Sequence, residues 1–234
     1  MIIEHFFTDR EQLFAQLGQH CLKAISQSVD STKSATVYLS GGSTPAPLYE
    51  ILANSPLNFA DVNWAMVDER WVDYDSSGSN HRFIDSCFSS ADGFSLLPMT
   101  NEATTPALGL NMLERRYSQL PKQSTLCILG MGGDGHTASF FPHAEGLAAA
   151  LLADNHHRVA AITAVESAVT GRYVERATLT LSNILASDNI ILLITGEEKF
   201  NVFQQALSSN DIYSTPVTAV LKQHQKDIHV YWSP

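Results

Sequence analysis

Alternating strand and helix signals along 234 residues predict a doubly wound α/β domain, a mainly parallel sheet with helices on both faces. Two observations carry the prediction. Short apolar runs that read as buried strands recur at 36–39, 62–67, 125–129, 189–195 and 228–232, with helical patterns between them. No internal repeat, low-complexity tract or shift of composition marks a boundary, so residues 1–234 read as a single domain.

Leu13, Leu17, Cys21 and Ile25 recur every four positions behind Asp9, a good N-cap, which predicts an amphipathic helix over 9–29. The first strand expected is Thr36 to Leu39. Ser40-Gly-Gly-Ser-Thr44 breaks it, and Pro45 starts a helix through Leu48, Ile51 and Leu52. Val62 to Val67 runs into Asp68-Glu-Arg70, and Thr125 to Leu129 into Gly130-Met-Gly-Gly-Asp-Gly-His136. Residues 78–119 read as helical and irregular, an excursion on the sheet. Asn189 to Thr195 is a buried strand ended by Gly196, a helix follows over about 197–207, and Ile228 to Trp232 is the last strand. Three strands thus deliver polar or glycine-rich residues at their carboxyl ends, where open α/β sheets bind ligands, and the active site is expected there.

The composition, 44% apolar and 16% charged, is that of a globular protein. No run approaches the length of a membrane span, and Glu4 and Asp9 come too early for a signal peptide, so a cytoplasmic location is expected. Cys21, Cys87 and Cys127 are odd in number and widely spaced, which suits core packing better than disulfides. A formal net charge of −10 disfavours nucleic acid and anionic membranes as partners. An acidic protein binds an anion only through concentrated N–H donors and well-placed cations.

The Ser40-Gly41-Gly42-Ser43-Thr44-Pro45 loop offers unencumbered backbone N–H groups, hydroxyls and a helix start, which favours a phosphate site over a capped turn. Gly130 to Gly135 satisfies G-x-G-x-x-G literally. A dinucleotide site is nevertheless rejected, because Pro142 stops any crossover helix within about two turns. Asp134 and His136 flank a glycine at a strand terminus, where flexible backbone can aim both into a cleft; the residues alone leave chemistry and packing equally open for His136. No histidine pair has metal-ligand spacing, and no metal is expected. Asp68-Glu-Arg-Trp71 sets charges behind a buried strand, costly unless compensated by partners or substrate. Arg176 and Lys199 are single cations near strand ends.

Taken in order, SGGSTP at 40–45, DERWV at 68–72, SN at 79–80, LGMGGDGHTASFFP at 129–142, RATLT at 176–180 and GEEK at 196–199 resemble the 6-phosphogluconolactonase family. The resemblance implies a six-carbon sugar-phosphate substrate and hydrolysis of 6-phosphogluconolactone to 6-phosphogluconate in the oxidative pentose phosphate pathway, without a cofactor. It further implies that Ser40, Gly41, Gly42, Ser43 and Thr44, with Arg176 and Lys199, hold the phosphate, that Arg70 contacts substrate, and that His136 activates water, aided by Asp134. The division of contacts between Arg70 and Arg176 stays open. Two positions depart from the family pattern: Ser167 to Glu175 lacks the proline-containing stretch usual ahead of RATLT, and Gly133 replaces a frequent acid.

The nearest rival is an amino-sugar-phosphate deaminase/isomerase, which resembles this chain in SGGSTP and G-x-x-K. That family carries a glutamate before the proline of its DGH segment, whereas Phe141 precedes Pro142 here and cannot relay a proton. A sugar-phosphate sensor in a DNA-binding regulator is the other rival. It is disfavoured by the acidic charge, the retained Asp134 and His136, and the lack of spare length before the first strand.

Overall fold

The computed structural model describes residues 1–234. From the N-terminus the chain runs β1 (Ile2–Phe6), α1 (Arg10–Thr32), β2 (Ala35–Leu39), α2 (Ala46–Ala53), β3 (Val62–Met66), β4 (Asp68–Arg70), α3 (Asn80–Cys87), β5 (Leu96–Leu97) and α4 (Pro106–Tyr117). It continues through β6 (Ser124–Leu129), α5 (Leu147–Ala150), β7 (Val159–Thr163), β8 (Glu175–Leu179), α6 (Leu181–Leu185), β9 (Ser187–Thr195), α7 (Glu197–Ser208), α8 (Val217–Leu221) and β10 (Ile228–Ser233).

Seven strands form a parallel sheet in the order β1-β10-β9-β6-β2-β3-β5, with helices packed on it, as the alternating pattern predicts. From β2 the chain moves outward through β3 to β5, then returns to the other side of β2 with β6 and proceeds to β9 and β10. The order therefore reverses between β2 and β6. The loops leaving their carboxyl ends diverge there and open a crevice.

Helix α1 forms where the four-residue spacing places it. Asp9 Oδ1 accepts from the Gln12 N–H at 2.8 Å, Lys33 ends the helix in the left-handed region at φ 68°, and Leu13, Leu17, Cys21 and Ile25 are buried. Fifty-nine buried apolar residues make one contiguous core, in which Cys21 and Cys127 are enclosed.

Three features differ from the sequence expectation. The first strand is β1, not β2: Ile2–Phe6 adds to the sheet edge through β10, and an edge strand paired on one side needs no continuous apolar run. Asp68-Glu-Arg70 is not a loop but a strand. Val67 turns the chain from one sheet to the other, since its N–H bonds to Leu39 of β2 while its carbonyl accepts from Leu179 of β8. A second, antiparallel sheet of order β4-β8-β7 results, and Arg176 is the second residue of β8, near the strand end as expected. Residues 78–119 resolve into α3, the short β5 and α4. After Gly135 the chain enters turns, with an isolated bridge between Thr137 and Phe140, and no crossover helix follows.

Candidate active site

The crevice between β2 and β6 holds a cleft of about 290 Å³. Its walls include Ser40, Gly41, Gly42, Ser43 and Thr44 from the loop after β2, His136 from the loop after β6, Arg70 from β4, Arg176 from β8 and Lys199 from α7. The small antiparallel sheet is what brings the two arginines to the carboxyl ends of the large one. Asp134 stands behind His136 and does not line the cleft.

The 40–45 loop is pinned before it meets any ligand. Ser40 Oγ donates to the Ile128 carbonyl of β6 at 2.6 Å, and Tyr49 Oη donates to the Ser40 carbonyl at 2.6 Å. The Ser40 hydroxyl is thus committed to the fold, and the loop's other hydroxyls are those of Ser43 and Thr44. Gly41 is required by close approach: a Cβ there would lie 2.0 Å from Asn80 Oδ1.

His136 is held on three sides. Its Nδ1 lies 2.5 Å from Asp134 Oδ1, its own N–H bonds to the same oxygen at 3.1 Å, and its ring packs against Phe141 with centroids 4.3 Å apart. Beneath it is Gly132, whose hypothetical Cβ would fall 2.2 Å from the imidazole. Burial raises the Asp134 pKa, but the hydrogen bond from His136, its charge and its N–H outweigh this and hold the carboxyl below the ordinary value. An ionised carboxylate at Nδ1 fixes the tautomer in which Nε2 carries the lone pair.

Three cations, Arg70, Arg176 and Lys199, share this cleft in a protein of net charge −10. Arg176 is only 3% exposed. Its Nε donates to the Tyr173 carbonyl at 2.6 Å and its Nη2 to the Thr170 carbonyl at 3.1 Å, while the guanidinium lies 5.0 Å from the Phe141 ring. The Ser167–Glu175 segment, atypical in sequence, therefore cradles this arginine. Burial pushes the Arg176 pKa down to about 10 and Arg70 adds to the fall, while Asp68 and Glu69 pull it up; the group stays cationic at neutral pH. Arg70 Nη1 donates to the Gly78 carbonyl at 2.7 Å, and its Nε is buried without a partner. Lys199 makes no ion pair, and its pKa is lowered by burial against the pull of Glu198.

The sequence alone gives Asn80 and Glu69 no role in the assembled site, and Asp68 only that of an alternative base. Asn80 Nδ2 donates to the Asp68 carbonyl at 3.1 Å, and Asn80 lines the cleft under Gly41. Glu69, 1% exposed, accepts from the N–H groups of Arg70, Asn80 and His81 at 2.7–2.8 Å, and so ties β4 to the start of α3. Burial pushes its carboxyl up to about 7, against those three bonds. Asp68 Oδ2 accepts from Ser139 Oγ at 2.7 Å. Ser79, the N-cap of α3, was the available signal for this corner, but no local pattern says that it meets the 40–45 loop.

Residues 8–232 match the family model described as glucosamine-6-phosphate isomerases/6-phosphogluconolactonase. A 6-phosphogluconolactonase of Mesorhizobium japonicum is 32% identical over 230 residues, which span 97% of this chain and 94% of that protein. The chain belongs to the 6-phosphogluconolactonase family. Another family member, from Rhizobium meliloti, is 29% identical over 232 residues and 98% of each chain. The crystal structure of a 6-phosphogluconolactonase from Shewanella baltica superposes with a TM-score of 0.93 at 32% identity, covering 100% of this chain and 98% of that one. Membership makes the chain an enzyme of the lactonase family, and the cleft is its candidate catalytic centre.

Proposed function

We propose that this chain hydrolyses 6-phospho-D-glucono-1,5-lactone to 6-phospho-D-gluconate, the lactone-opening step of the oxidative pentose phosphate pathway, with His136 as general base. The observation that carries the reading is the 2.5 Å contact of His136 Nδ1 with Asp134, which leaves Nε2 without a protein partner at the wall of a cationic cleft. In this scheme Nε2 takes a proton from water as the water oxygen attacks the lactone carbonyl carbon. The tetrahedral intermediate then collapses, the bond from carbonyl carbon to ring oxygen breaks, and the imidazolium returns the proton to the departing ring oxygen. Asp134 orients the ring and stabilises its cationic form.

Phosphate is assigned to the Ser40–Thr44 loop with Arg176 and Lys199. Arg70 contacts the substrate, an assignment supported by its place in the wall of the cleft. A lactone carbonyl is already electrophilic, so the scheme requires one activated water and donors for the developing oxyanion, and neither metal nor cofactor. The substrate is a small cytoplasmic sugar phosphate.

The deaminase reading is disfavoured by Phe141, which is 3% exposed and packs on His136 where that reaction needs a carboxylate. The test is direct. Freshly prepared 6-phosphogluconolactone and, separately, glucosamine 6-phosphate are supplied, and turnover above the spontaneous background is measured. Turnover of the lactone alone is expected; deamination of the amino sugar with no lactone hydrolysis would overturn the proposal.

A further inference from the structure

Both cleft arginines owe their positions to backbone carbonyls on two surface loops. Arg176 is fixed by the carbonyls of Thr170 and Tyr173, in the loop between β7 and β8. Arg70 is fixed by the Gly78 carbonyl, in the loop between β4 and α3. Each loop has some order of its own. Ser167 and Thr170 exchange hydrogen bonds, with Ser167 N–H on Thr170 Oγ1 at 2.7 Å and Thr170 N–H on Ser167 Oγ at 3.1 Å, while Gly78 N–H bonds to Ser76 Oγ at 3.2 Å.

What joins the loops is one aromatic ring. Tyr173 lies close enough to Gly78 that a Cβ at position 78 would fall 2.6 Å from Tyr173 Cε2 and 2.7 Å from its Cζ. Only a residue without a side chain lets the ring reach this backbone. The phenol oxygen accepts from Arg172 Nη2 at 2.8 Å and lies 3.5 Å from Ser77 Oγ. Tyr173 therefore reaches both arginines without lining the cleft, Arg176 directly and Arg70 through Gly78: its own carbonyl receives Arg176, and its ring packs on the residue whose carbonyl receives Arg70.

We propose that Tyr173 is a positioning residue for substrate binding, a clasp between the two loops that holds the guanidiniums of Arg70 and Arg176 in their binding arrangement before substrate arrives. This rests on the reading that both arginines bind substrate. Arg70 and Arg176 are directly paired across β4 and β8, and like charges so placed repel. Their carbonyl acceptors must be held firmly to keep both heads at one cleft. Without the ring the loops move independently, and binding must then order two rotamer-rich side chains that were ordered beforehand. That cost falls equally on ground state and transition state, so it raises KM and leaves kcat in place.

The experiment compares wild type with Tyr173→Ala, Tyr173→Phe, Gly78→Ala and, as a reference, Arg176→Ala. It measures kcat and KM for 6-phosphogluconolactone, and calorimetric affinity for 6-phosphogluconate. Tyr173→Ala and Gly78→Ala should each raise KM and weaken product binding by about tenfold, the scale of ordering one to two long side chains, with kcat within about twofold. Tyr173→Phe, which keeps the ring, should restore both values. Tyr173→Ala with wild-type KM and product affinity, beside an Arg176→Ala that loses both, would overturn the clasp alone. So would a Tyr173→Phe as impaired as Tyr173→Ala. A wild type that neither hydrolyses the lactone nor binds 6-phosphogluconate, or an Arg176→Ala with unchanged KM, would instead overturn the reading on which the clasp rests.

Discussion

Arg70 and Arg176 are directly opposed residues in the antiparallel pairing of β4 with β8, so their side chains leave the sheet on the same face and enter one cleft. Two guanidiniums placed this way repel, but Asp68 outweighs this at Arg176, whose pKa is held down by burial. A phosphorylated ligand that binds the folded cleft and not the unfolded chain stabilises the fold, which makes stability a reporter of binding. At a 6-phosphogluconate concentration of one hundred times Kd, binding adds about 2.7 kcal/mol. In a domain of this size that raises Tm by roughly 5–10 °C. Thermal unfolding with and without 6-phosphogluconate should show this shift in wild type and a much smaller one in Arg176→Ala. Equal shifts in the two proteins would remove Arg176 from the ligand site.

Lys199 carries the third cation and forms no ion pair, although Glu198 lies near enough to act on its charge. Lys199→Ala should raise KM roughly ten- to a hundredfold, the worth of one charge-assisted hydrogen bond, and largely spare kcat. Steady-state kinetics decide. A fall in kcat at unchanged KM would give Lys199 a chemical role instead of a binding one.

His136→Ala should lose about 10²- to 10⁴-fold in kcat while still binding 6-phosphogluconate, and Asp134→Asn should lose less, by misorienting the ring. Because the base must be neutral, kcat/KM should fall as pH is lowered. Rates are compared after subtracting the spontaneous hydrolysis, which grows with pH. A folded His136→Ala protein with the wild-type rate would require another base, Asp68 being the first to test.

Asp134 also ties stability to pH. Its folded-state pKa is depressed, so the unfolded chain takes up the proton first. The stabilisation is fully present above the ordinary carboxyl value of about 3.9 and disappears as pH falls through the lower folded-state value. Urea unfolding from about pH 2 to pH 6 should therefore show a steeper acid loss of stability in wild type than in Asp134→Asn. Parallel acid limbs would mean that the Asp134–His136 contact does not persist in solution.

Gly132→Ala tests the seat of the imidazole. The added Cβ would come within 2.2 Å of the ring, which must then move off its contact with Asp134. A displacement of about 1 Å at a reacting group can cost about a hundredfold, and a loss of kcat on that order is expected with the far-ultraviolet circular dichroism unchanged. Wild-type kcat in this variant would show that the base does not depend on this seat.

Much of the molecule was legible along the chain because its signals are local. The spacing of Leu13, Leu17, Cys21 and Ile25 behind Asp9 is a helix whatever surrounds it, and the buried runs before Ser40 and Gly130 are strands ending in loops that a parallel sheet must gather at one end. The fold class, the location of the cleft and the proximity of Asp134 to His136, two residues apart, all follow from such short-range patterns.

Tertiary structure alone decided how Arg70 and Arg176 come to face each other. Their pairing across β4 and β8 joins residues more than a hundred positions apart, and neither Asp68-Glu-Arg70 nor Arg176-Ala-Thr-Leu-Thr180 carries a periodicity that names its partner. The same holds for Asn80 beneath Gly41 and for Tyr173 on Gly78, where a missing side chain matters only because of what packs against it. Local sequence dictates the backbone's choice among a few conformations at each residue. Which residues then meet depends on the packing of all the elements at once, where one register among many buries the apolar faces and leaves the polar groups paired.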